Sequence, residues 1–140
     1  MEIATQPRAF YGSFFHAPEY GSFEYLERAL IEVGEDGAIE RVIEHDDPDQ
    51  AAALAKAREA GALFELGEGR FGLPGFVDIH VHSPQWPQAA LALDEPLYRW
   101  LDERTFPLES KFADVDFAKE VYSDLVDQLL ARGSTTAVYL

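Results

Sequence analysis

Alternation of apolar and polar residues is the main signal in the first half of the chain, and it predicts short β-strands. Turn residues separate these strands. Among them, Gly34 to Gly37 is typical of a hairpin, because glycine and aspartate tolerate a positive φ. An Ala-rich stretch that ends at Gly61 predicts a helix. The predicted strands cover residues 8–16, 24–33, 38–44 and 62–66, and the predicted helix covers residues 50–60.

A turn rich in glycine and proline, residues 72–75, begins the second half of the chain. The alternating residues 76–82 predict a strand. After a Pro-rich segment, residues 95–103 predict a short helix that Asp94 caps and that Phe106-Pro107 ends, because proline disrupts a helix interior.

A long helix followed by a strand is predicted at the end of the sequence. The helix starts at Asp114 or Asp116, and Gly133 follows its last turn. Its apolar face repeats every four residues and consists of Phe117, Val121, Leu125 and Leu129. Residues 135–140 predict the closing strand. Strand, helix and strand together indicate one βαβ unit with two parallel strands.

Composition indicates a globular chain and narrows its function. Apolar residues make up 47% of the chain, which is within the range of globular proteins. The chain has 140 residues, so it is too short for a complete α/β barrel, which takes about 250. With 26 acidic and 11 basic side chains the formal charge is −15, which argues against binding of nucleic acid or of an anionic membrane surface. The absence of cysteine excludes disulfides, thiolate metal sites and cysteine nucleophiles. No secretory signal or long apolar run is visible, so we expect a cytoplasmic protein.

The candidate chemistry lies in the strand at residues 76–82. Alternation places Asp78, His80 and His82 on one face, together with Phe76, and only apolar residues on the other face. Burying three unpaired polar groups would cost a few kcal/mol each, and a metal ion offsets that cost for the histidines. Residues two apart on a strand have Cα atoms about 6.6 Å apart, so both imidazoles can reach one ion.

Zinc is the first expectation for a site with nitrogen and oxygen ligands and no thiol, and iron or another divalent ion is the alternative. The competing interpretation is a pair of ordinary hydrogen-bonded histidines at the end of a strand. Asp78 has two interpretations as well: it orients a metal ligand, or it bonds to backbone or to an arginine. His16 and His45 are interpreted as structural or exposed.

The segment from Pro74 to His82 resembles the first barrel strand of the amidohydrolase superfamily, which ends in a metal-binding His-x-His after a Pro-Gly turn. Further motifs resemble the guanine deaminase family within it, and this likeness runs from about residue 9 to residue 140. These motifs are His82-Ser83-Pro84-Gln85-Trp86, Thr105-Phe106-Pro107-Leu108-Glu109, Asp116-Phe117-Ala118 and Gly133-Ser134-Thr135-Thr136-Ala137.

The resemblance implies an α/β fold. Residues 1–70 would form part of a small β-sandwich, and residues 71–140 would form the first βαβ unit of a metal-dependent (β/α)8 barrel that this chain does not complete. His80 and His82 would be metal ligands. The substrate pocket would include His82, Ser83, Pro84, Gln85 and Trp86. An amide suits Gln85 to a base edge, since it both donates and accepts hydrogen bonds. Trp86 would stack on the purine, or else pack as a loop aromatic.

The implied reaction is hydrolytic, with guanine and water giving xanthine and ammonia. The general acid and base are expected beyond Leu140, so the 140 residues alone are expected to be inactive, and Glu109 is interpreted as structural. A small-molecule purine substrate and a homodimer of the full-length enzyme are further implications. Two alternatives stay open: another ring aminohydrolase of the same superfamily, or a catalytically incomplete fragment that folds with a partner chain.

Overall fold

The computed structural model describes residues 7–140, which form two compact units divided between Pro74 and Gly75. The first unit contains a mixed sheet of order β3-β2-β1-β4, with β5 also paired to β1. β1 runs antiparallel to β2 and parallel to β4 and β5. The strands are β1 (Ala9–His16), β2 (Glu24–Val33), β3 (Ile39–Ile43), β4 (Leu63–Glu65) and β5 (Phe71–Gly72).

The hairpin between β2 and β3 confirms the predicted turn. Gly37 has a φ of +84°, and the backbone N–H of Gly34 donates to the carbonyl of Ala38 at 2.8 Å. The predicted strands were found with small shifts of their ends. β5 was not predicted, because a two-residue strand beside glycine carries no readable alternation.

The core of the first unit lies between the sheet and helix α1 (Gln50–Glu59). Leu30 and Ile43 are completely buried there, and Ala57 of the helix packs with them. The buried Gln50 amide donates to the carbonyls of Arg28, Ile43 and Glu44 at 2.8–3.1 Å. The start of the helix is therefore tied to β2 and to the end of β3.

The second unit begins with strand β6 (Phe76–Val81) and a 3₁₀ segment, Ser83–Gln88. A helical run then extends from Leu97 to Ala113 without a break. It consists of α2 (Leu97–Trp100), a π turn (Leu101–Thr105), α3 (Phe106–Glu109) and a 3₁₀ turn (Ser110–Ala113).

Two predictions about this helical run were wrong. Pro107 does not end it, because Pro107 lies in the first turn of α3, where the missing N–H costs least, and the wider π turn precedes it. Asp94 does not cap it, because Pro96 occupies the N-cap position with extended backbone angles.

On the surface of the run the Arg99 guanidinium, 3.1 Å from Glu103, lowers the pKa of that carboxyl.

Helix α4 (Val115–Ala131) and strand β7 (Ser134–Tyr139) complete the unit, and β6 pairs with β7 in parallel as predicted. Asp114 caps the helix by accepting from the backbone N–H groups of Asp116 and Phe117. Val121 and Leu125 are buried, in agreement with the four-residue repeat. Among residues 7–140, no helix combines the length and the apolar character that crossing a bilayer requires.

Gly75 lets β6 start close against β7. A Cβ atom at this position would overlap the side chain of Thr135, including its Cβ atom. The backbone N–H of Phe76 donates to the carbonyl of Gly133 at 2.7 Å, so the two strands are already paired at this point. The Pro-Gly turn is therefore a packing requirement of the βαβ unit.

We expect Gly75→Ala to lower the free energy of unfolding of the second unit by about 1–3 kcal/mol, because the added methyl group overpacks the contact with Thr135. Urea denaturation followed by tryptophan fluorescence measures this unit alone, since both tryptophans, Trp86 and Trp100, lie in it.

The second substitution Thr135→Gly should restore part of the loss, because it removes the overlapping side chain. Lys119→Ala is the control, since Lys119 is an exposed residue of α4 in the same unit. Equal stability of the Gly75→Ala and Lys119→Ala chains would contradict the packing argument.

Candidate functional site

His80 and His82 meet at the carboxyl end of β6. Their Nε2 atoms are 2.8 Å apart and their ring centroids are 4.8 Å apart, so the two imidazoles lean toward one point. Two nitrogens bound to one tetrahedral zinc ion at about 2.05 Å would lie about 3.3 Å apart. A small rotation of either ring gives that spacing, so the pair fits a shared divalent ion. Both side chains are solvent-exposed, which leaves the point accessible.

Asp78 does not reach the imidazole rings through a hydrogen bond. Its Oδ1 atom accepts from the backbone N–H of His80 at 3.0 Å. Of the two interpretations of Asp78, this contact corresponds to the bond with backbone. The carboxylate thereby supports the strand beside the histidine pair.

Within residues 7–140, no group of three or more His, Asp or Glu side chains comes together in a metal-binding arrangement. The histidine pair therefore provides two donors, and a structural or catalytic zinc site takes at least three protein ligands. His16 and His45 lie in the first unit. The Nε2 atom of His16 is 3.0 Å from a carboxylate oxygen of Glu24 on the neighbouring strand, and His45 is exposed.

The 3₁₀ segment Ser83–Gln88 follows the histidine pair directly and is attached to the helical run by a buried hydrogen bond. The Gln88 amide donates to the Thr105 hydroxyl at 2.7 Å, and both residues are almost completely buried. Sequence reasoning did not single out Gln88 and named Thr105 only as part of a motif. Their contact was missed because the two lie 17 positions apart and only the packing of the segment brings them together.

Gln85 and Glu109 form a second bond between the same two elements. The Nε2 atom of Gln85 donates to Oε1 of Glu109 at 3.1 Å, and both side chains are half-buried. Glu109 lies four residues after Thr105, and Gln85 lies three before Gln88, so each pair shares one helical face. The spacing Thr-x-x-x-Glu within the Thr-Phe-Pro-Leu-Glu motif was the signal that could have identified Glu109.

Trp86 is held by the long helix. Its indole N–H donates to Oδ2 of Asp124 at 2.6 Å, and the ring is half-buried. Ser83 and Pro84 lie beside a different feature, an apolar groove of about 400 Å³ over α4. The other residues that line the groove are Tyr122, Leu125, Val126, Tyr139 and Leu140. Of the five predicted pocket residues, Ser83 and Pro84 line this groove, and a single pocket for all five stays a prediction.

Comparison with known proteins identifies what the chain is similar to. No family model matches it. A curated guanine deaminase of Dictyostelium discoideum is 36% identical over 94% of the chain. A solved structure described as guanine deaminase from C. acetobutylicum with bound guanine in the active site is 28% identical and has a TM-score of 0.73 over 94% of the chain.

An adenosine deaminase from Xanthomonas campestris, solved with bound zinc, shares the fold with a TM-score of 0.63 and 21% identity over 96% of the chain. The chain spans about three tenths of the length of each of these proteins: 31% of the curated relative and 29% of either solved chain. In sequence and in fold, the chain is therefore similar to guanine deaminases over more than nine tenths of its own length.

Proposed function

We propose that the chain supplies the first two metal ligands and part of the purine pocket of a zinc-dependent guanine deaminase. The observation that carries the proposal is the 2.8 Å approach of the His80 and His82 Nε2 atoms at the end of β6, in a chain similar to guanine deaminases. The reaction is hydrolytic: guanine and water give xanthine and ammonia.

The donor set supports zinc, since two imidazole nitrogens without a thiolate suit this ion, and iron is the second choice. His80 and His82 would hold the ion through their Nε2 atoms. When bound, the ion would supply Lewis acidity and would activate water for the hydrolysis. The remaining ligands and the general acid and base are assigned to parts of the enzyme that this chain does not span, since it spans 31% of the curated relative. The 140 residues alone are therefore expected to be inactive.

The apolar surface of the second unit supports a larger fold around it. Val77 and Ile79 of β6 are 62% and 74% exposed, and Val138 of β7 is 47% exposed. A parallel pair of strands is normally covered on both faces. We assign β6, α4 and β7 to the first βαβ unit of a (β/α)8 amidohydrolase barrel, whose sites lie at the carboxyl ends of its strands. The sheet of the first unit is assigned to a small β-sandwich completed by strands from elsewhere.

The purine pocket is assigned to the stretch from His82 to Trp86. The amide of Gln85 lies on the same short segment as the metal ligands and keeps hydrogen-bonding capacity beyond its contact with Glu109. Trp86 bonds to Asp124 through its N–H, which leaves the faces of the indole for packing against a ring. The guanine named in the C. acetobutylicum structure is the substrate that we propose. The homodimer and the cytoplasmic location stay predictions.

The alternatives differ in what they predict. Another ring aminohydrolase would keep the metal and use a different purine, pyrimidine, s-triazine or imidazolone. A catalytically incomplete fragment would bind no divalent ion and show no deaminase activity even at full gene length. Metal analysis and a guanine assay of the longer enzyme distinguish the three cases.

We expect the longer enzyme to bind zinc and His82→Ala to weaken that binding by at least about tenfold, since loss of a direct ligand should exceed the effect of losing an outer partner. Isothermal titration of zinc chloride at constant pH measures the change. His45→Ala is the matched control, because His45 is exposed and lies in the first unit. Unchanged affinity of the His82→Ala chain would contradict the metal assignment.

We expect Gln85→Ala in the longer enzyme to raise KM for guanine about tenfold with a small change in kcat, because one hydrogen bond to the purine is lost in ground state and transition state alike. Steady-state kinetics with guanine provide the measurement. Gln128→Ala is the control, since Gln128 lies near the end of α4 and bonds only to Arg132 of that helix. An unchanged KM for guanine in the Gln85→Ala enzyme would contradict the purine-binding role of Gln85.

A further inference from the structure

We infer that Glu109 is a positioning residue that orients the Gln85 amide so that the amide presents its carbonyl oxygen to the purine. The inference deepens the proposed function and rests on it. It starts from the 3.1 Å bond in which Nε2 of Gln85 donates to Oε1 of Glu109. It assigns a role to a glutamate that sequence reasoning interpreted as structural.

The chemistry of the two side chains fixes the direction of this bond. A carboxylate only accepts hydrogen bonds, whereas a primary amide has a donating end and an accepting end. Gln85 must therefore turn its NH₂ group toward Glu109. Its Oε1 atom then points away from Glu109 and is left to accept a hydrogen bond. Without the carboxylate, a rotation of 180° about the last side-chain bond would exchange the two ends at little cost.

The outward carbonyl oxygen suits a base edge that offers an N–H group. Guanine has such donors on its ring and on its amino group. A purine that presents a lone pair at the same place would meet the Gln85 oxygen with repulsion, and leaving a buried polar group unpaired lowers binding. With its NH₂ group bound to Glu109, the Gln85 amide presents only an acceptor to the substrate, and this selects purines that have a donor at that place.

A neighbouring contact also holds the segment, independently of Glu109. The bond between Gln88 and Thr105 already joins the 3₁₀ segment to the helical run, and its partners are 6% and 1% exposed. Gln85 and Glu109 are half-buried instead, on the more accessible part of the same contact. The buried pair acts as the anchor, and the accessible pair determines which end of an amide faces outward.

The test is a double-mutant cycle in the longer enzyme that we propose carries this chain. Glu109→Gln keeps the shape of the side chain and removes the acceptor-only character, so we expect KM for guanine to rise about fivefold with kcat nearly unchanged. In a Gln85→Ala background the same substitution should have no further effect, because Glu109 acts through Gln85. The thermal midpoint should stay within about 2 °C of wild type, because the buried bond between Gln88 and Thr105 still joins the segment to the helical run.

A rescue variant separates orientation from packing. In the enzyme with Gln85→Glu and Glu109→Gln together, residue 85 has two accepting oxygens and no donating end, so it needs no orienting partner. We expect its KM for guanine to recover toward the wild-type value compared with Glu109→Gln alone. Glu103→Gln is the matched control, since it removes one negative charge from the same helical run at an exposed residue whose hydrogen-bonded partner is Arg99.

Each outcome decides between the possibilities. Coupling between positions 85 and 109 together with rescue supports the positioning role. Two results with an active wild type would overturn the positioning role and leave the proposed function intact. The first is that the two substitutions act additively. The second is that Glu109→Gln lowers the thermal midpoint as much as Thr105→Val, which removes the buried bond to Gln88. A wild-type enzyme that leaves guanine unchanged overturns the proposed function and the inference together.

Discussion

The parallel pairing of β6 with β7 is the constraint on which the candidate site depends. It starts at Gly75, where only a hydrogen atom fits beside Thr135, and it ends where the N–H of Leu140 donates to the carbonyl of Val81. Between these points the strand directions are set, and His80 and His82 emerge at the carboxyl end. A shift of one residue along β6 would send both rings to the opposite face.

Much of this arrangement could be predicted from sequence because it depends on short spacings. The alternation of residues 76–82 placed both histidines on one side of a strand, and the four-residue repeat identified the buried face of α4. Asp114 and the hairpin at residues 34–37 were recognisable from local backbone chemistry. Each of these features depends on residues that are no more than about four positions apart in the sequence.

The rest depends on contacts between distant parts of the chain. Gln85 and Glu109 are 24 positions apart, so no periodicity connects them. The prediction that Phe106-Pro107 ends a helix failed for a related reason: a proline is a break only in a regular α-helix, and here a π turn changes the backbone just before it. The same π turn ends at Thr105, the residue that anchors Gln88. A local irregularity thus positions Thr105 for a contact that sequence reasoning missed.

The 3₁₀ segment after the histidine pair is fastened at three places by Glu109, Asp124 and Thr105. All three partners belong to the second unit itself. The segment that would face a ligand is therefore preorganised when this unit folds. Its side chains lose their conformational entropy during folding and not when the ligand binds. A ligand that arrives later finds its contacts in place, so that more of its interaction energy is available as affinity.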